Sequence, residues 1–100
     1  MVKTRAVTSG GWRALEGFWN QKATVFFRSP AGAQVKVRYG YGWLGWDSQK
    51  QTLDDSATKR LIIGLAAIAY ATIQINVRAD TNVTYDVYPG EIIAAPKVPF

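Results

Sequence analysis

The chain has 100 residues, of which 48% are hydrophobic and 19% are charged, a composition typical of a single globular domain. It contains no histidine and no cysteine, which excludes disulfides, thiol nucleophiles, serine–histidine triads and the usual zinc sites. Lysine and arginine outnumber aspartate and glutamate by 12 to 7, and the resulting charge of +5 permits attraction to nucleic acid, acidic glycans or anionic lipid without selecting one. We therefore do not expect an enzyme.

The beginning of the chain predicts neither a regular element nor a targeting signal. Residues 1–11 are polar and end in a serine followed by two glycines, which indicates a flexible lead-in. The opening lacks the apolar core of a signal peptide, and the longest apolar run, 61–71, is shorter than the roughly 20 residues that span a bilayer. We expect a soluble chain without a transmembrane segment, and its localisation is not predicted.

The segment 12–19 gives a mixed signal. Trp12, Leu15 and Trp19 fall at helical spacing, which by itself favours an amphipathic helix. Gly17 and the shortness of the segment argue against a stable helix. We interpret it as an irregular or edge segment that its aromatic side chains hold in place.

Two strands are predicted around the first proline. Residues 24–28 are rich in β-branched and aromatic side chains, and 29–32 read Ser-Pro-Ala-Gly, which suits a type I turn. The stretch 34–43 then alternates between apolar and polar residues, as a half-buried strand does. These patterns predict a hairpin over 23–43.

The stretch 34–47 is the most informative part of the chain. Its alternation places five large side chains on one face, namely Val35, Val37, Tyr39, Tyr41 and Trp43. Three glycines, Gly40, Gly42 and Gly45, interrupt the second half, and glycine in a strand indicates a bend or a close backbone approach. The aromatic rings either fill the core of a small β domain or form a recognition loop at the end of the strand.

The second half of the chain also reads as short strands separated by turns. Residues 51–53, 58–63, 72–78 and 83–88 have strand character, with polar turns at 54–57 and 80–82. The alanine-rich residues 64–70 suit a helix, a strand or a segment crossing between sheets, of which we prefer the crossing. Alternation predicts a core that contains Val37, Tyr39, Ile73, Ile75, Val83, Tyr85 and Val87.

These elements define the predicted fold class. We expect an all-β, single-domain antiparallel β-sandwich of about six to eight short strands over residues 12–90, with a small open β-barrel as the alternative. Residues 91–100, interrupted by two prolines, are predicted to be an extended tail.

The turns at one end of such a sandwich contain aspartates that predict a weak metal site. If the strands run as a meander, the turns at 29–32, 54–57 and 79–82 share one end, which brings Asp54, Asp55 and Asp80 together. Oxygen ligands of this kind suit calcium. The competing interpretation is that aspartate simply favours turns. Apart from calcium, no cofactor is expected.

Aromatic residues at the opposite end of the sandwich predict a ligand site. It collects residues 40–50, 64–71 and 88–91, and with them the candidate ligand-binding side chains Tyr41, Trp43, Trp46, Asp47, Tyr70 and Tyr88. The apolar C–H faces of sugar rings stack on flat aromatic rings such as these, while a neighbouring carboxylate holds the hydroxyl groups.

Four functional hypotheses follow from this arrangement. The leading one is a non-catalytic recognition module that binds a glycan or another cell-surface ligand through the aromatic loop. The alternatives are a structural subunit of a virion, tail or other assembly, which includes a homo-oligomer, and single-stranded nucleic-acid binding by stacking over basic strands. A lipid-binding or toxin-like role on a membrane surface, through exposed tryptophans and positive charge, is the fourth.

Overall fold

In the described part of the protein, a computed structural model, eight strands make up most of the regular structure. The structure describes residues 1–40, 42–53, 59–63 and 70–91. The segment predicted to cross between the sheets, at 64–69, and the predicted tail beyond Glu91 lie outside the described residues. The strands are β1 Val2–Val7, β2 Arg13–Trp19, β3 Ala23–Ser29, β4 Gln34–Tyr39, β5 Trp46–Thr52, β6 Lys59–Ile63, β7 Tyr70–Asn76 and β8 Thr81–Pro89.

The strands form two antiparallel four-stranded sheets. One sheet has the order β1-β8-β3-β6 and the other has the order β2-β7-β4-β5. The sheets are not closed into a barrel. This confirms the predicted β-sandwich rather than the open-barrel alternative.

The strand order defines the topology further. The first strand pairs with the eighth, the second with the seventh, the third with the sixth and the fourth with the fifth. A single long hairpin of four strand pairs, folded over so that alternate pairs lie in opposite sheets, produces this arrangement. It is the jelly roll, in which eight strands form two Greek keys.

Two predictions about local structure are wrong. The hairpin over 23–43 does not form, because β3 pairs with β6 and β8 in one sheet while β4 pairs with β5 and β7 in the other. The turn between β3 and β4 therefore connects the two sheets. Residues 2–7 are not a lead-in, since β1 pairs with β8 along its whole length, from Val2 opposite Asp86 to Val7 opposite Thr81.

The core lies between the sheets and follows the predicted alternation. Along β7, Ala71, Ile73 and Ile75 are fully buried, and the residues between them are half-exposed. Of the predicted core, five side chains are buried and the other two, Tyr39 and Val87, pack against the core while partly exposed. The β-branched and aromatic residues that favour strands are thus also the residues that fill the sandwich.

A polar seam closes one open side of the sandwich, where the edge strands β1 and β2 face each other. Arg5 Nε donates to the Tyr85 hydroxyl at 2.7 Å, and that hydroxyl donates to Glu16 Oε1 at 2.7 Å. Lys3 Nζ donates to the same carboxylate oxygen at 2.8 Å, and Arg5 reaches it at 3.2 Å. Burial and the hydrogen bond to Glu16 raise the pKa of Tyr85 to about 12, which keeps it a donor. Inward-pointing charges on an edge strand also discourage pairing with other chains.

Glu16 makes the stability of this seam depend on pH. Partial burial opposes its ionisation, but hydrogen bonds from Lys3, Tyr85 and Arg5 outweigh burial and hold its pKa below the ordinary 4.5. The folded state therefore favours the ionised form, whose stabilisation is present above pH 4.5 and is lost as the pH falls through the lowered pKa. We expect the unfolding free energy of the wild type to fall more steeply in acid than that of Glu16→Gln.

Urea denaturation at a series of pH values below neutrality measures this difference. Glu91→Gln, a change of the same chemistry at an exposed position just after β8, is the matched control and should follow the wild type. Parallel profiles for the wild type and Glu16→Gln would contradict the prediction.

Candidate functional site

The aromatic loop, residues 40–47, comprises the connection between β4 and β5 and the first two residues of β5, at one end of the sandwich. Gly40 and Gly42 have φ of +79° and +52°, in the left-handed region that favours glycine. Gly42–Leu44 form one turn of 3₁₀ helix. A Cβ at Gly45 would lie 2.5 Å from the Tyr39 carbonyl oxygen, so the backbone can close the loop there only with glycine. The glycines that interrupt the sequence pattern therefore make a tight turn.

Arg38 fixes the conformation of the aromatic loop. Its Nη1 donates to Asp47 Oδ1 at 3.0 Å, and its Nη2 donates to the Gly42 carbonyl oxygen at 2.8 Å. The backbone N–H of Gly40 donates to the Tyr70 carbonyl oxygen at 2.7 Å, which attaches the loop to β7. One guanidinium thus connects the start of the turn to β5, and the loop is held before any ligand arrives.

Asp47 lies at the base of the loop between two cations. Lys36 Nζ donates to its Oδ2 at 3.0 Å, while Arg38 holds the other oxygen. The hydrogen bond from Lys36 is the largest effect, and together with the hydrogen bond from Arg38 it outweighs burial and lowers the pKa of Asp47. Lys36 is only 8% exposed, and its Nζ lies 4.1 Å from the centre of the Trp12 ring. Both cations are therefore committed to intramolecular contacts.

Three large apolar side chains of the loop face solvent. Trp43 is 90% exposed, Leu44 70% and Trp46 57%. The Trp46 ring stacks on Tyr39, with centroids 5.6 Å apart and ring planes at 25°. Tyr39 supports one face of the indole, and the exposure of Trp46 leaves the other face accessible.

The structure brings together some of the predicted ligand-binding residues and separates others. Trp43 lies in the 3₁₀ turn of the aromatic loop, Trp46 and Asp47 begin β5, and Tyr70 starts the neighbouring strand β7. Tyr41 lies outside the described residues. Tyr88 lies on the outer face of the other sheet, where its ring packs edge-on against Phe26 at 5.6 Å, and it is not part of this site.

Two residues of the site were not predicted from the sequence. The sequence pattern did not single out Arg38, because its contacts with the loop depend on how the chain turns after it. Trp19 is 53% exposed and stands next to Tyr70 in the register of β2 and β7. A strand pattern could have identified Trp19, because exposed Gly17 and Trp19 alternate with buried Phe18. The helical spacing of Trp12, Leu15 and Trp19 concealed this pattern.

Of the predicted calcium site, only Asp80 lies in the described part of the chain. Asp80 Oδ1 accepts hydrogen bonds from the Ser9 backbone N–H at 2.8 Å and from its hydroxyl at 3.0 Å, and these lower the pKa of Asp80. Asp54 and Asp55 lie outside the described residues. Among the residues that are described, no three histidine, cysteine, aspartate or glutamate side chains cluster as metal ligands would. Asp80 connects two turns at this end of the sandwich.

A polar cleft of about 400 Å³ lies between β1 and β2, at the end opposite to the loop. Arg5 and Arg13 line it. Arg5 is bound to Tyr85 and Glu16, and Arg13 donates to the Thr8 and Ser9 carbonyl oxygens at 3.2 and 3.0 Å. Because both guanidinium groups serve the fold, we regard the aromatic loop as the stronger candidate site.

No known protein family, curated protein sequence or solved structure matches this chain. Within the described ranges, no helix is long and apolar enough to cross a membrane. The described residues form a jelly-roll β-sandwich with an exposed aromatic loop.

Proposed function

We propose that the protein is a non-catalytic recognition module that binds a neutral glycan through the aromatic loop. One observation carries the proposal: Trp43, Leu44 and Trp46 are exposed on a turn whose conformation Arg38 holds in place. A monomeric fold gains nothing from exposing large apolar side chains together, and such patches are typical of interaction sites.

The geometry of the loop suits a ring-shaped ligand. Tryptophan offers a large, rigid apolar surface together with one N–H donor. Trp46 is already stacked on Tyr39, so little side-chain freedom remains to be lost when a sugar ring stacks on its other face. Asp47, the next residue, is 45% exposed, and its carboxylate oxygens can accept further hydrogen bonds from sugar hydroxyl groups.

The charges around the loop favour a neutral ligand over a nucleic acid. Binding to a phosphate backbone depends on lysines and arginines that can neutralise phosphates. Lys36 and Arg38 both pair with Asp47, and Lys36 is almost entirely buried. Using either cation for phosphate would require breaking a contact that stabilises the loop.

A structural subunit of an assembly is the second candidate. Leu44, 70% exposed beside Trp43, favours it, because an aliphatic side chain offers no ring for sugar stacking but packs well in a protein interface. Jelly rolls occur in both lectin and viral capsid domains, an analogy of fold that does not choose between the two functions. Sedimentation of the wild type and Leu44→Ala over a range of concentrations tests this candidate: association that depends on Leu44 would support it.

Titration at two salt concentrations tests the leading proposal. We expect a member of a panel of neutral glycans to bind with an affinity that barely changes with salt, since stacking on an uncharged ring releases no counterions. Single-stranded DNA should bind weakly, and any binding should fall steeply as salt rises. Tight, salt-sensitive binding of DNA, or no binding of any glycan in the panel, would overturn the proposal.

A further inference from the structure

A second polar cleft, of about 280 Å³, lies where β4 begins, at the end of the sandwich opposite to the aromatic loop. Gln34 is the register partner of both Thr52 on β5 and Asn76 on β7, so these three side chains form one row across the sheet. The row lies on the outer face, because Val35 and Ile75, the next residues along two of the strands, are buried in the core. The cleft is therefore lined by two amide groups and one hydroxyl group, each of which can donate a hydrogen bond.

Arg78 adds a guanidinium group to this cleft. It follows Asn76 by two residues on the same side of the chain, because Val77 between them is buried. A Cβ at Gly32 would lie 3.2 Å from Arg78 Nε and 3.3 Å from its Cζ, so the guanidinium rests against the glycine backbone. Gly32 has a φ of +81°, and its N–H donates to the Leu53 carbonyl oxygen at 2.9 Å, which ties this turn to the end of β5. Glycine thus provides both the space and a fixed floor for the guanidinium.

The charge of Arg78 differs in its surroundings from that of other arginines. The guanidinium groups of Arg5, Arg13 and Arg38 each donate to an acceptor that belongs to the fold. Arg78 is exposed and has no hydrogen-bond acceptor or ion-pair partner in the part of the chain that the structure describes. Asp80, two residues later, already accepts two hydrogen bonds at its Oδ1. The described side chains that line the cleft therefore carry one positive charge and no carboxylate.

We propose that this cleft is an oxyanion site that binds a phosphate or sulfate group. The planar fork of guanidinium N–H donors matches the oxygen atoms of such a group, and the amide and hydroxyl donors of the row lie beside it. A volume of 280 Å³ corresponds to about nine water molecules at about 30 Å³ each. A phosphate group has only five non-hydrogen atoms, so the cleft also has room for part of the molecule that carries it. The net charge of +5 attracts such anions to the protein.

Titration with inorganic phosphate, inorganic sulfate and a sugar phosphate at constant ionic strength tests the site. We expect the backbone N–H resonances of Gly32 and Arg78 to shift and saturate, while those of the aromatic loop stay in place. Arg78→Gln should bind at least tenfold more weakly, and Arg78→Lys, which keeps the charge but not the planar fork, should fall between. Lys22→Gln, which removes the same charge between β2 and β3 at the other end of the sandwich, is the control and should bind as the wild type does.

The comparison of the three anions identifies the source of the bound group. Tighter binding of the sugar phosphate than of inorganic phosphate would assign the site to an ester, and equal affinities would assign it to the oxyanion alone. Both results support the site. Because Arg78 is exposed, we expect Arg78→Gln to remain folded, which circular dichroism checks.

Three results would overturn the oxyanion site. The first is the absence of a saturable shift with any of the three anions. The second is an equal loss in Arg78→Gln and Lys22→Gln, or a loss in neither, because net charge alone would then explain the attraction. The third is a saturable shift of the same resonances with calcium chloride and none with the anions, which would assign this end to a cation. Trp46→Ala should bind phosphate as the wild type does, so failure of the glycan proposal leaves this site unaffected.

Discussion

Replacing Ile75 with alanine is expected to lower the unfolding free energy by about 2–5 kcal/mol, the usual range for a buried isoleucine. Ile75 is fully buried near the end of β7, with Arg13 of β2 and Val35 of β4 as its cross-strand neighbours. Because β7 is an inner strand of its sheet, the side chain is surrounded and the surrounding residues cannot easily collapse into the cavity. A domain of this size has only about 5–15 kcal/mol of stability in total, so the loss should be obvious.

Urea unfolding measures this effect and its control. Gln74→Ala truncates the neighbouring residue of the same strand on the opposite, half-exposed face, and should change the unfolding free energy by less than about 0.5 kcal/mol. The midpoint of unfolding should shift for Ile75→Ala with an unchanged slope. A shift for Ile75→Ala as small as that for Gln74→Ala would mean that the register of β7 is wrong by one residue.

Replacing Trp46 with alanine is expected to remove glycan binding while leaving the protein folded. The indole is 57% exposed and packs mainly on Tyr39, so the loss of stability should be about 0.5–1.5 kcal/mol, as for an aromatic pair. A buried tryptophan would cost about 3–5 kcal/mol instead. Thermal unfolding and glycan titration on the same variant therefore distinguish a ligand platform from a core residue.

Trp46→Phe is the matched control for the loop. It keeps a flat ring on Tyr39 and should retain part of the affinity, whereas Trp46→Ala should retain none. Loss of stability on the scale of a buried tryptophan would assign Trp46 to the core. Unchanged binding in Trp46→Ala would move the site away from this residue.

Side-chain periodicity predicted which residues face the core. Ile73, Ile75 and Val77 alternate with polar residues, and all three are buried. Such a pattern is local, because successive side chains of any strand point to opposite faces. The same locality explains why both ends of β6, β7 and β8 were predicted to within two residues. The strand predicted over 51–53 was too short, because β5 already begins at Trp46.

Alternation of chain direction predicted which connections share an end of the sandwich. Every strand reverses the chain, so alternate connections lie at the same end even though the assumed meander is wrong. The loop after β4 and the start of β7 at Tyr70 are accordingly neighbours, joined by the bond from Gly40. This is the reason that a site around Trp43 and Trp46 could be predicted without knowing the topology.

Tertiary structure alone decided which strands pair and which face each aromatic side chain occupies. The sequence of β3 and β4 predicts two strands and a turn. It does not predict that β3 pairs with β8, about 60 residues later along the chain, or that β4 pairs with β7. Pairing is a long-range choice that depends on burying both sheets at once, which local propensity does not encode. That choice separates Tyr88 from the loop and brings Trp19 to Tyr70. The sequence by itself determined a β-sandwich with an aromatic turn, and the jelly-roll pairing decided which aromatic residues share that turn's surface.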